Sequence, residues 1–425
     1  MTILIKDCTM KRKKINVKHK KNIVKVYNLN HIKVVSDFIR ILNAIFEQGY
    51  KEITIDFTNV EKGHFPCAIV PISGIIEELI NQGVIIKVCN NSQTETMNLK
   101  QPLLYKKGEK FIFSKVWKFD NTNNPIIVED FINELTKVDN FPKNVIVLTE
   151  WVLNEVIDNV INHSGKEGGY VMGQVHPSTK HITFCIFDNG IGIKESFIQG
   201  GLHSPKNQAD AISLAIKEGV TSNKSKGQGN GLFGLHSMVS KGDGKLNIVS
   251  GSGGYCYYKN IPTFFKSLPI LKNRDGCTTI DFMIDYSQDY YVENVLTFNG
   301  KPYKPINLRI ENMEDERGNI LFKIKELGEG TGTRMSATRL KNQIMNILNE
   351  EPKNIVLDFS DIGVISSSYA DELIAKLLLE LGLFQFNQLI RLRHLNETQQ
   401  TILQRSVIQR FVDVYNDNNY EKRTI

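Results

Sequence analysis

The sequence predicts a multidomain α/β protein, and three observations support this. The chain has 425 residues, which is more than one ordinary hydrophobic core can organise. Its composition, with 41% hydrophobic and 23% charged residues, is typical of folded proteins. Similar β-strand segments, each followed by a predicted amphipathic helix, occur near both ends of the chain. We therefore expect an N-terminal α/β domain at residues 1–125, a central domain at 126–290 and a C-terminal domain at 300–425.

The two similar segments are Lys51–Val60 and Lys353–Ile362. Both are short β-prone runs, and both close on Asp-Phe followed by Thr or Ser. Helices are predicted after them from about Ile69 to Gln82 and from about Tyr369 to Leu381, and a further strand from Val84 to Val88. A strand-helix unit at each end implies two small α/β domains that flank the central one.

Charge and cysteine usage exclude several functional classes. The net charge is +6, and much of the excess lies between Lys11 and Lys21, where no aromatic residue is interleaved. A solvated segment explains this run better than a nucleic-acid contact does. No apolar stretch is long enough to span a membrane or to serve as a secretory signal, and the six cysteines form no Cys-x-x-Cys pair. We expect a cytoplasmic protein with reduced cysteines that binds neither membranes nor nucleic acid.

The first of three motifs in the central region is a predicted helix from Leu148 to Asn162. At about 100° per residue, its valine, leucine and isoleucine residues form one broad apolar face. The opposite face lacks lysine and arginine and consists of acidic and amide side chains, namely Glu155, Asp158, Asn159 and Asn162. Such a face is either simply solvated or suited to bind a hard cation and to orient a water molecule.

The second motif, Asp188-Asn-Gly190-Ile-Gly192, follows the β-prone run His181–Phe187. Asp188 is therefore expected at a strand end, where the two glycines would let a ligand approach the backbone. A tight turn capped by the aspartate side chain is the alternative, and these residues alone leave both interpretations open.

The third motif, Gly227-x-Gly229-x-Gly231, opens a predicted helix with apolar residues at Leu232 and Leu235. Glycines before a helix let backbone N–H groups approach phosphate oxygens, and the helix dipole favours negative charge there. The motif is not a Walker loop, because Gly-x-x-x-x-Gly-Lys-Ser/Thr is missing. It is not a dinucleotide fingerprint either, because no βαβ unit with a later acidic residue surrounds it.

In this order and spacing, the three motifs resemble the ATP-binding domain of the GHKL superfamily, over residues from about 140 to 285. That superfamily includes gyrase, Hsp-type chaperone ATPases, mismatch-repair ATPases, histidine kinases and anti-sigma-factor kinases. Its first motif, Glu-x-x-x-Asn-x-x-x-His, is matched by Glu155, Asn159 and His163. The resemblance implies a central α/β sandwich of the GHKL (Bergerat) type that uses ATP and Mg²⁺.

The resemblance also implies a role for each matched residue. Glu155 would be the general base, Asn159 the Mg²⁺ ligand and Asp188 the partner of the adenine amino group. A mobile lid would be formed by residues 194–226. The implied nucleotide-binding residues are Asn159, His163, Asp188, Gly190, Gly192, Gly227, Gly229, Gly231, Leu232 and Thr278. Thr278 is included because Gly276-Cys277-Thr278 stands where the last Gly-Thr of the family precedes a strand.

Two departures from the family pattern bear on the reaction. Asn162 stands where kinase members usually carry a lysine or arginine near the phosphates, which argues against efficient phosphoryl transfer. No helical segment with a candidate phospho-accepting histidine precedes the domain, which argues against a self-contained histidine kinase. ATP binding is consistent with both departures.

The C-terminal region resembles STAS-like domains, on the residues from Ile355 to Leu373. In partner-switching STAS proteins a GHKL kinase phosphorylates a serine at the strand-to-helix junction, and Ser367 is the nearest match. The alternative is purely structural, because Ser368 with Asp371 three residues later forms a capping-box pattern. The N-terminal domain, also expected to be STAS-like, has no such serine and is therefore predicted to be a docking or sensory module.

These features leave two main functions open. The central domain could phosphorylate a STAS-like domain of its own chain or of a partner, or it could be an ATP-gated switch or ATPase that transfers no phosphate to protein. A third reading, a scaffold with a vestigial pocket, is disfavoured because Glu155, Asn159 and Asp188 are all present. Protein partners are expected to bind through the STAS-like domains, and family analogy suggests a homodimer.

Overall fold

The computed structural model describes residues 16–61, 63–222, 229–298, 300–302, 314–315 and 317–421. The chain divides into two compact units. The first comprises Met1–Ile132 and Leu148–Lys304, and the second comprises Asn133–Val147 and Pro305–Ile425. The predicted boundaries of three domains stay a prediction. Within the described part of the chain, no helix combines the length and the apolar character needed to cross a bilayer.

The first unit begins with a four-stranded sheet in the order β1-β2-β3-β4. Its elements are β1 (Val17–Lys20), β2 (Ile23–Val26), α1 (Lys33–Glu47), β3 (Glu52–Asp56), α2 (Pro66–Asn81) and β4 (Ile85–Cys89). Strands β2, β3 and β4 are parallel, and β1 pairs antiparallel with β2. The helices α1 and α2 therefore make the two crossover connections between parallel strands.

An eight-stranded sheet forms the rest of this unit, in the order β11-β10-β9-β12-β8-β7-β6-β5. Its strands are β5 (Leu103–Leu104), β6 (Trp117–Asp120), β7 (Gly168–His176), β8 (His181–Asp188), β9 (Lys245–Ser250), β10 (Gly253–Tyr258), β11 (Ile261–Phe265) and β12 (Thr278–Asp285). All pairs are antiparallel except β5 with β6.

The helices that follow β4 along the chain, up to the first described hairpin after the large sheet, are α3 (Ser92–Glu95), α4 (Asn124–Val138), α5 (Val145–His163), α6 (Gly192–Gly200), α7 (Gln208–Ala215), α8 (Gly231–Lys241) and α9 (Val292–Val295). A small hairpin follows, made by β13 (Thr297–Phe298) and β14 (Lys301–Pro302). The division between the two units falls within α4 and within α5.

The two faces of the large sheet have different coverings. Side chains alternate between the faces of a strand, so Phe187 and Asp188 at the end of β8 point to opposite sides. Phe187 packs against α2, where a Cβ added at Gly74 would fall 2.5 Å from its Cδ1 atom. One shared hydrophobic core joins the four-stranded sheet, α1, α2 and this face of the large sheet. Asp188 lies on the other face of the sheet.

Helix α2 differs from its prediction. The sequence predicts an amphipathic helix, but the residues from Pro66 to Leu79 are buried on almost every side. The cause is its position between two sheets, because a helix that packs against both needs apolar residues all round. Its one buried carboxylate, Glu77, forms an ion pair through Oε1 with Lys118 on β6 at 2.7 Å.

The second unit contains a three-stranded parallel sheet in the order β15-β16-β17. Its elements are β15 (Ile320–Lys323), α10 (Arg334–Glu350), β16 (Ile355–Asp358), α11 (Ser367–Ala370), a π-helical turn (Asp371–Ala375), α12 (Lys376–Leu389), β17 (Ile390–Arg393) and α13 (Glu397–Glu421). The strand-helix units predicted at both ends of the chain are therefore confirmed. That the N-terminal one is STAS-like stays a prediction.

Two details of the second unit correct the sequence expectations. The predicted capping serine is Ser368, but the structure uses Ser366, whose Oγ atom accepts a hydrogen bond from Tyr369 N–H at 3.0 Å. The helix begins earlier than predicted because Ser366 has the extended backbone that an N-cap requires. The predicted single helix from Tyr369 to Leu381 is instead interrupted by the π-turn, and its continuation to Leu389 is kinked at Gly382.

Candidate functional site

A cavity of about 400 Å³ lies in the first unit, on the face of the large sheet opposite α2. Helix α5 forms one wall, and the ends of β8 and β12, helix α6 and the start of α8 form the others. The lining residues are Trp151, Glu155, Asp158, Asn159, Val160, Asn162, His163, Ser164, Asp188, Gly192, Ile193, Ser196, Phe197, Ala215, Val220, Thr221, Ser222, Gly229, Asn230, Gly231, Leu232, Thr278, Ile280 and Phe298. This volume is typical of small-molecule sites.

The polar face of α5 turns into the cavity. Val152 and Val156, on its other side, are completely buried against the core, which fixes the rotation of the helix and directs Glu155, Asp158 and Asn159 to the cavity. Asp158 accepts a hydrogen bond from the Asn124 side chain at 2.8 Å. Burial, assisted by the neighbouring Asp158, raises the pKa of Glu155.

Asp188 forms the deep end of the cavity. Its side chain is only 5% exposed, and its Oδ1 atom accepts a hydrogen bond from Gly190 N–H at 2.9 Å. Burial raises the pKa of this carboxyl from 3.8 to about 7, against the opposing effect of the Gly190 bond. Thr278 is its partner across the β8-β12 ladder, and the Thr278 hydroxyl shares a hydrogen bond of 3.2 Å with Ser250.

Glycines are required at this end for steric reasons. Gly192 has a φ of +79°, and a Cβ there would meet the Asp275 carbonyl oxygen at 2.7 Å. A Cβ at Gly190 would meet the Ser164 carbonyl oxygen at 2.2 Å. The loop after β8 is thus pressed against the end of α5, and Ile191 N–H donates to Ser164 O at 2.8 Å.

The N-terminus of α8 approaches α5 just as closely. A Cβ at Gly231 would lie 2.6 Å from Oε2 of Glu155 and 3.1 Å from Nδ2 of Asn159. The preceding Asn230 does not cap the helix, because its side-chain oxygen accepts from Gly219 N–H at 3.2 Å. The first backbone N–H groups of α8 are therefore not used by a side-chain cap, and they lie beside the oxygen-rich face of α5.

His163 closes the side of the cavity through a short chain of hydrogen bonds. Its Nδ1 atom lies 3.0 Å from the Ser222 hydroxyl, which in turn lies 3.1 Å from the Ser196 hydroxyl on α6. Helices α6 and α7 occupy much of the stretch from 194 to 226 that the sequence assigns to a lid. Residues 223–228 lie outside the described part of the chain.

The structure brings most of the predicted site residues together. Those that line the cavity are Glu155, Asn159, His163, Asp188, Gly192, Gly229, Gly231, Leu232 and Thr278. Gly190 supports the loop and does not line the cavity, and Gly227 falls outside the described residues. The sequence prediction missed the hydrophobic part of the wall, which includes Trp151, Ile193, Phe197, Ile280 and Phe298. Of these, Trp151 has a sequence signal, because it lies one helical turn before Glu155 on the same face.

The side chains present fit a magnesium ion that is held jointly by protein and ligand. No group of three or more His, Cys, Asp and Glu side chains placed to hold a metal occurs among the described residues. Magnesium sites in nucleotide enzymes commonly need only one or two protein ligands besides phosphate oxygens and water. The side-chain oxygen of Asn159, next to Glu155, meets this requirement.

Comparison with protein families identifies two regions of the chain. Residues 145–271 match the family of histidine kinase-, DNA gyrase B- and HSP90-like ATPases. Residues 336–400 match a STAS-like domain of unknown function. The predicted GHKL-type domain followed by a STAS-like domain, in a multidomain α/β protein, is thus confirmed. Neither the curated proteins nor the solved structures gave a match.

Proposed function

We propose that this protein is an ATP-dependent regulator whose central pocket binds ATP with Mg²⁺ and whose STAS-like domain acts on a protein partner. The observation that carries the proposal is the position of Asp188. Among the described residues, this nearly buried carboxylate accepts one hydrogen bond, from Gly190 N–H. An ionised carboxylate in a buried position is stabilised by each further hydrogen-bond donor that it can accept from. The amino group of adenine is such a donor, and the small residues around Asp188 let a flat base approach.

The other end of the pocket suits the phosphates. The N-terminal N–H groups of α8 and the positive end of its dipole favour phosphate oxygens. No lysine or arginine is among the described lining residues, while Glu155, Asp158 and Asp188 are. A polyanion therefore needs a cation here. Mg²⁺ bound by Asn159 would neutralise phosphate charge and orient the terminal phosphate.

Glu155 is the proposed general base for hydrolysis. A water oxygen forms a bond to the γ-phosphorus, the bond from that phosphorus to the bridging oxygen breaks, and ADP leaves with the bonding electrons. Glu155 takes the proton of the water. Burial raises the pKa of Glu155, and a carboxylate with a raised pKa is a stronger base than an ordinary one. Asn159, one turn further along α5, lies beside the same part of the pocket.

Phosphoryl transfer to Ser367 is the second candidate function. Ser367 is exposed at the first position of α11, and Ser366 already provides the N-cap, so capping does not require the Ser367 hydroxyl. In this reaction the Ser367 oxygen takes the place of water, and its hydroxyl proton passes to a carboxylate base. A phosphate with nearly two negative charges at a helix N-terminus is electrostatically tolerated and would change what that surface binds.

Two measurements test these proposals. Isothermal titration of Mg·ATP should show binding to the wild type and a large loss of affinity in Asp188→Asn. Incubation with γ-labelled ATP should release free phosphate, and Glu155→Gln should lower that rate by about 10²- to 10⁴-fold while binding persists. A wild type that binds no Mg·ATP contradicts the first proposal and favours a vestigial pocket.

The same labelling experiment separates hydrolysis from protein phosphorylation. Label on the protein that disappears in Ser367→Ala and persists in Ser366→Ala supports the kinase. The experiment is run with and without a separate STAS-like domain as acceptor. If free phosphate is released and no protein is labelled in either case, the result supports the ATPase or ATP-gated switch. Ser366→Ala is the matched control because it removes the neighbouring hydroxyl and the helix cap but keeps Ser367.

A further inference from the structure

Three aromatic rings form a wall at one end of the pocket. Trp151 on α5 and Phe298 on β13 line the cavity, and their ring centroids are 6.1 Å apart. Phe233 on α8 supports Phe298 from behind, also with a centroid distance of 6.1 Å. These separations lie within the range at which aromatic side chains attract each other. We call these three residues the aromatic wall.

The aromatic wall lies at the end of the pocket opposite Asp188. Ser164 at the far end of α5 is hydrogen-bonded to Ile191 in the loop after Asp188. Trp151 lies on the same helix, roughly 20 Å away at about 1.5 Å per residue. Glu155 lies one turn from Trp151, between the two ends. A nucleotide whose base reaches Asp188 and whose phosphates reach the N-terminus of α8 would bring its terminal phosphate towards Glu155, since Glu155 lies beside Gly231.

The segment Tyr290–Phe298, which we call the strap, brings Phe298 to this position. The strap follows α8 from its C-terminus to its N-terminus. At the C-terminal end of α8, the Tyr290 hydroxyl donates a hydrogen bond to Asp285 O at 2.7 Å. The ring of Tyr290 lies over Gly242, where an added Cβ would collide with that hydroxyl. At the other end, Leu296 is fully buried and lies 3.2 Å from the position of a Cβ at Gly234.

Gly234 lets α5, α8 and the strap meet. A Cβ there would lie 2.3 Å from the Trp151 ring, so the indole occupies the space that a side chain would fill. The strap begins after residue 271 and is therefore outside the region that matches the ATPase family. Its anchors Val292, Val295 and Leu296 are buried. Phe298 is half-buried and pairs with Lys301 in the β13–β14 hairpin.

We propose that Phe298 is a gate residue of the pocket: it closes the pocket beyond Glu155 against Trp151 and restricts the access of water or a phosphate acceptor to that carboxylate. This inference rests on the proposed function, because it assigns Phe298 a positioning role for the reaction at Glu155. Opening requires the β13–β14 hairpin that carries Phe298 to move, while Leu296 and Tyr290 anchor the preceding part of the strap. A closed aromatic wall excludes bulk water from the space around that carboxylate.

The test compares Phe298→Ala with wild type in the intact chain. The chain has two tryptophans, and Trp117 is completely buried, so a change in acrylamide quenching of fluorescence reports on Trp151. We expect stronger quenching in Phe298→Ala. We also expect kcat for ATP hydrolysis to rise by up to about tenfold, equivalent to about 1.4 kcal/mol of activation free energy, because water reaches Glu155 more easily. The affinity for Mg·ATP should stay unchanged.

Two controls make the outcome decisive. Phe298→Leu keeps an apolar side chain at this position and should restore most of the wild-type quenching and kcat. Phe384→Ala removes a phenylalanine that is 89% exposed and should change neither quenching nor turnover. Unchanged quenching and an unchanged kcat in Phe298→Ala overturn the gate. So does a loss of Mg·ATP affinity with slower turnover, which would make Phe298 a binding residue. Failure of the wild type to bind Mg·ATP instead contradicts the proposed function.

Discussion

At the scale of single residues, Asp188 makes the stability of the fold depend on pH. Burial raises its pKa in the folded chain to about 7 from 3.8. The folded state therefore holds a proton that the unfolded state loses in this interval. Its contribution to stability is lost as pH rises from about 4 to about 7 and is constant above that, in the absence of a ligand.

The corresponding prediction concerns Asp188→Asn without nucleotide. The variant cannot ionise, so its stability relative to wild type should increase between pH 4 and pH 7. At about 1.4 kcal/mol per pH unit, the increase is at most about 4 kcal/mol. Urea unfolding of both proteins at pH 5 and pH 8 measures the difference. The exposed control Asp361→Asn should change the free energy of unfolding by the same small amount at both pH values. A change in Asp188→Asn that is equal at pH 5 and pH 8 would contradict the prediction.

Nucleotide binding should show the opposite trend with pH at this residue. An adenine amino group donates to the ionised carboxylate, so binding competes with protonation. We expect the affinity for Mg·ATP to fall by up to about tenfold per pH unit below about pH 7. Titrations with Mg·ATP at pH 5.5, 6.5 and 7.5 measure this. Parallel titrations with adenosine, which lacks the phosphates, separate the effect of Asp188 from the protonation of the ATP phosphates. A pH-independent affinity for adenosine would contradict the assignment.

The sequence predicts the polar part of the site better than the apolar part. Glu155, Asn159 and His163 recur at helical spacing, so one regular element places all three in the cavity. Phe298 cannot be predicted in this way, because its place depends on how the strap packs along α8. The sequence predicts Ser368 as the capping serine, two residues after the observed Ser366. Two serines are chemically identical, so only the backbone geometry decides which of them caps the helix.

At the scale of elements, helix α2 connects two sheets and depends on a single small residue. A Cβ at Gly74 would lie 2.5 Å from Cδ1 of Phe187 and 3.1 Å from the Tyr170 ring. Phe187 is fully buried, so the helix cannot yield without moving away from β8. The requirement for glycine here is close approach, because the position is helical and has an ordinary φ.

We therefore expect Gly74→Ala to destabilise the first unit by about 1–3 kcal/mol, the usual cost of overpacking a filled core. The better helix propensity of alanine offsets about 1 kcal/mol of the clash. Thermal unfolding and hydrogen exchange of α2 measure the loss. Gly363→Ala is the control, because no atom lies within 4 Å of its added Cβ. A stabilised Gly74→Ala protein would show that the contact with Phe187 relaxes easily.

Local sequence signals explain why strand β3 was predicted correctly and why the burial of α2 was not. Alternation along β3 and the run of β-branched residues are local signals, and the strand is observed at Glu52–Asp56. The second partner of α2 is a sheet whose strands come about 100 residues later in the chain. No local periodicity contains information about that contact, which appears in the sequence only as an unusually apolar helix.

At the scale of the whole molecule, the second unit is built from two distant stretches of the chain. Residues 133–147 join residues 305–425 in one compact unit, although the sequence predicts a C-terminal domain that begins at 300. A row of asparagines on α10, at positions 342, 346 and 349, holds the turn between α4 and α5. Side-chain amides suit this task because they pair with both N–H and C=O groups of an irregular backbone.

Asn346 makes the central contacts of this row. Its Nδ2 atom donates to Thr136 O and to Asp139 O, each at 2.9 Å. Its Oδ1 atom accepts from Phe141 N–H at 2.7 Å. The side chain is 1% exposed, so water cannot replace these bonds without opening the unit. Such satisfied buried amides specify one register of a turn, whereas apolar packing alone would tolerate several.

The final prediction is that Asn346→Ala loosens the turn between α4 and α5 and destabilises the second unit by about 2–4 kcal/mol, because three backbone groups lose their partner in a buried place. Hydrogen exchange in the full-length chain measures both effects, and the Phe141 amide should lose protection first. Asn342→Ala is the matched control, since Asn342 makes a single, longer bond of 3.3 Å to Lys137 O. Equal protection of the Phe141 amide in wild type and Asn346→Ala would mean that apolar packing, and not the asparagine row, holds residues 133–147 in this unit.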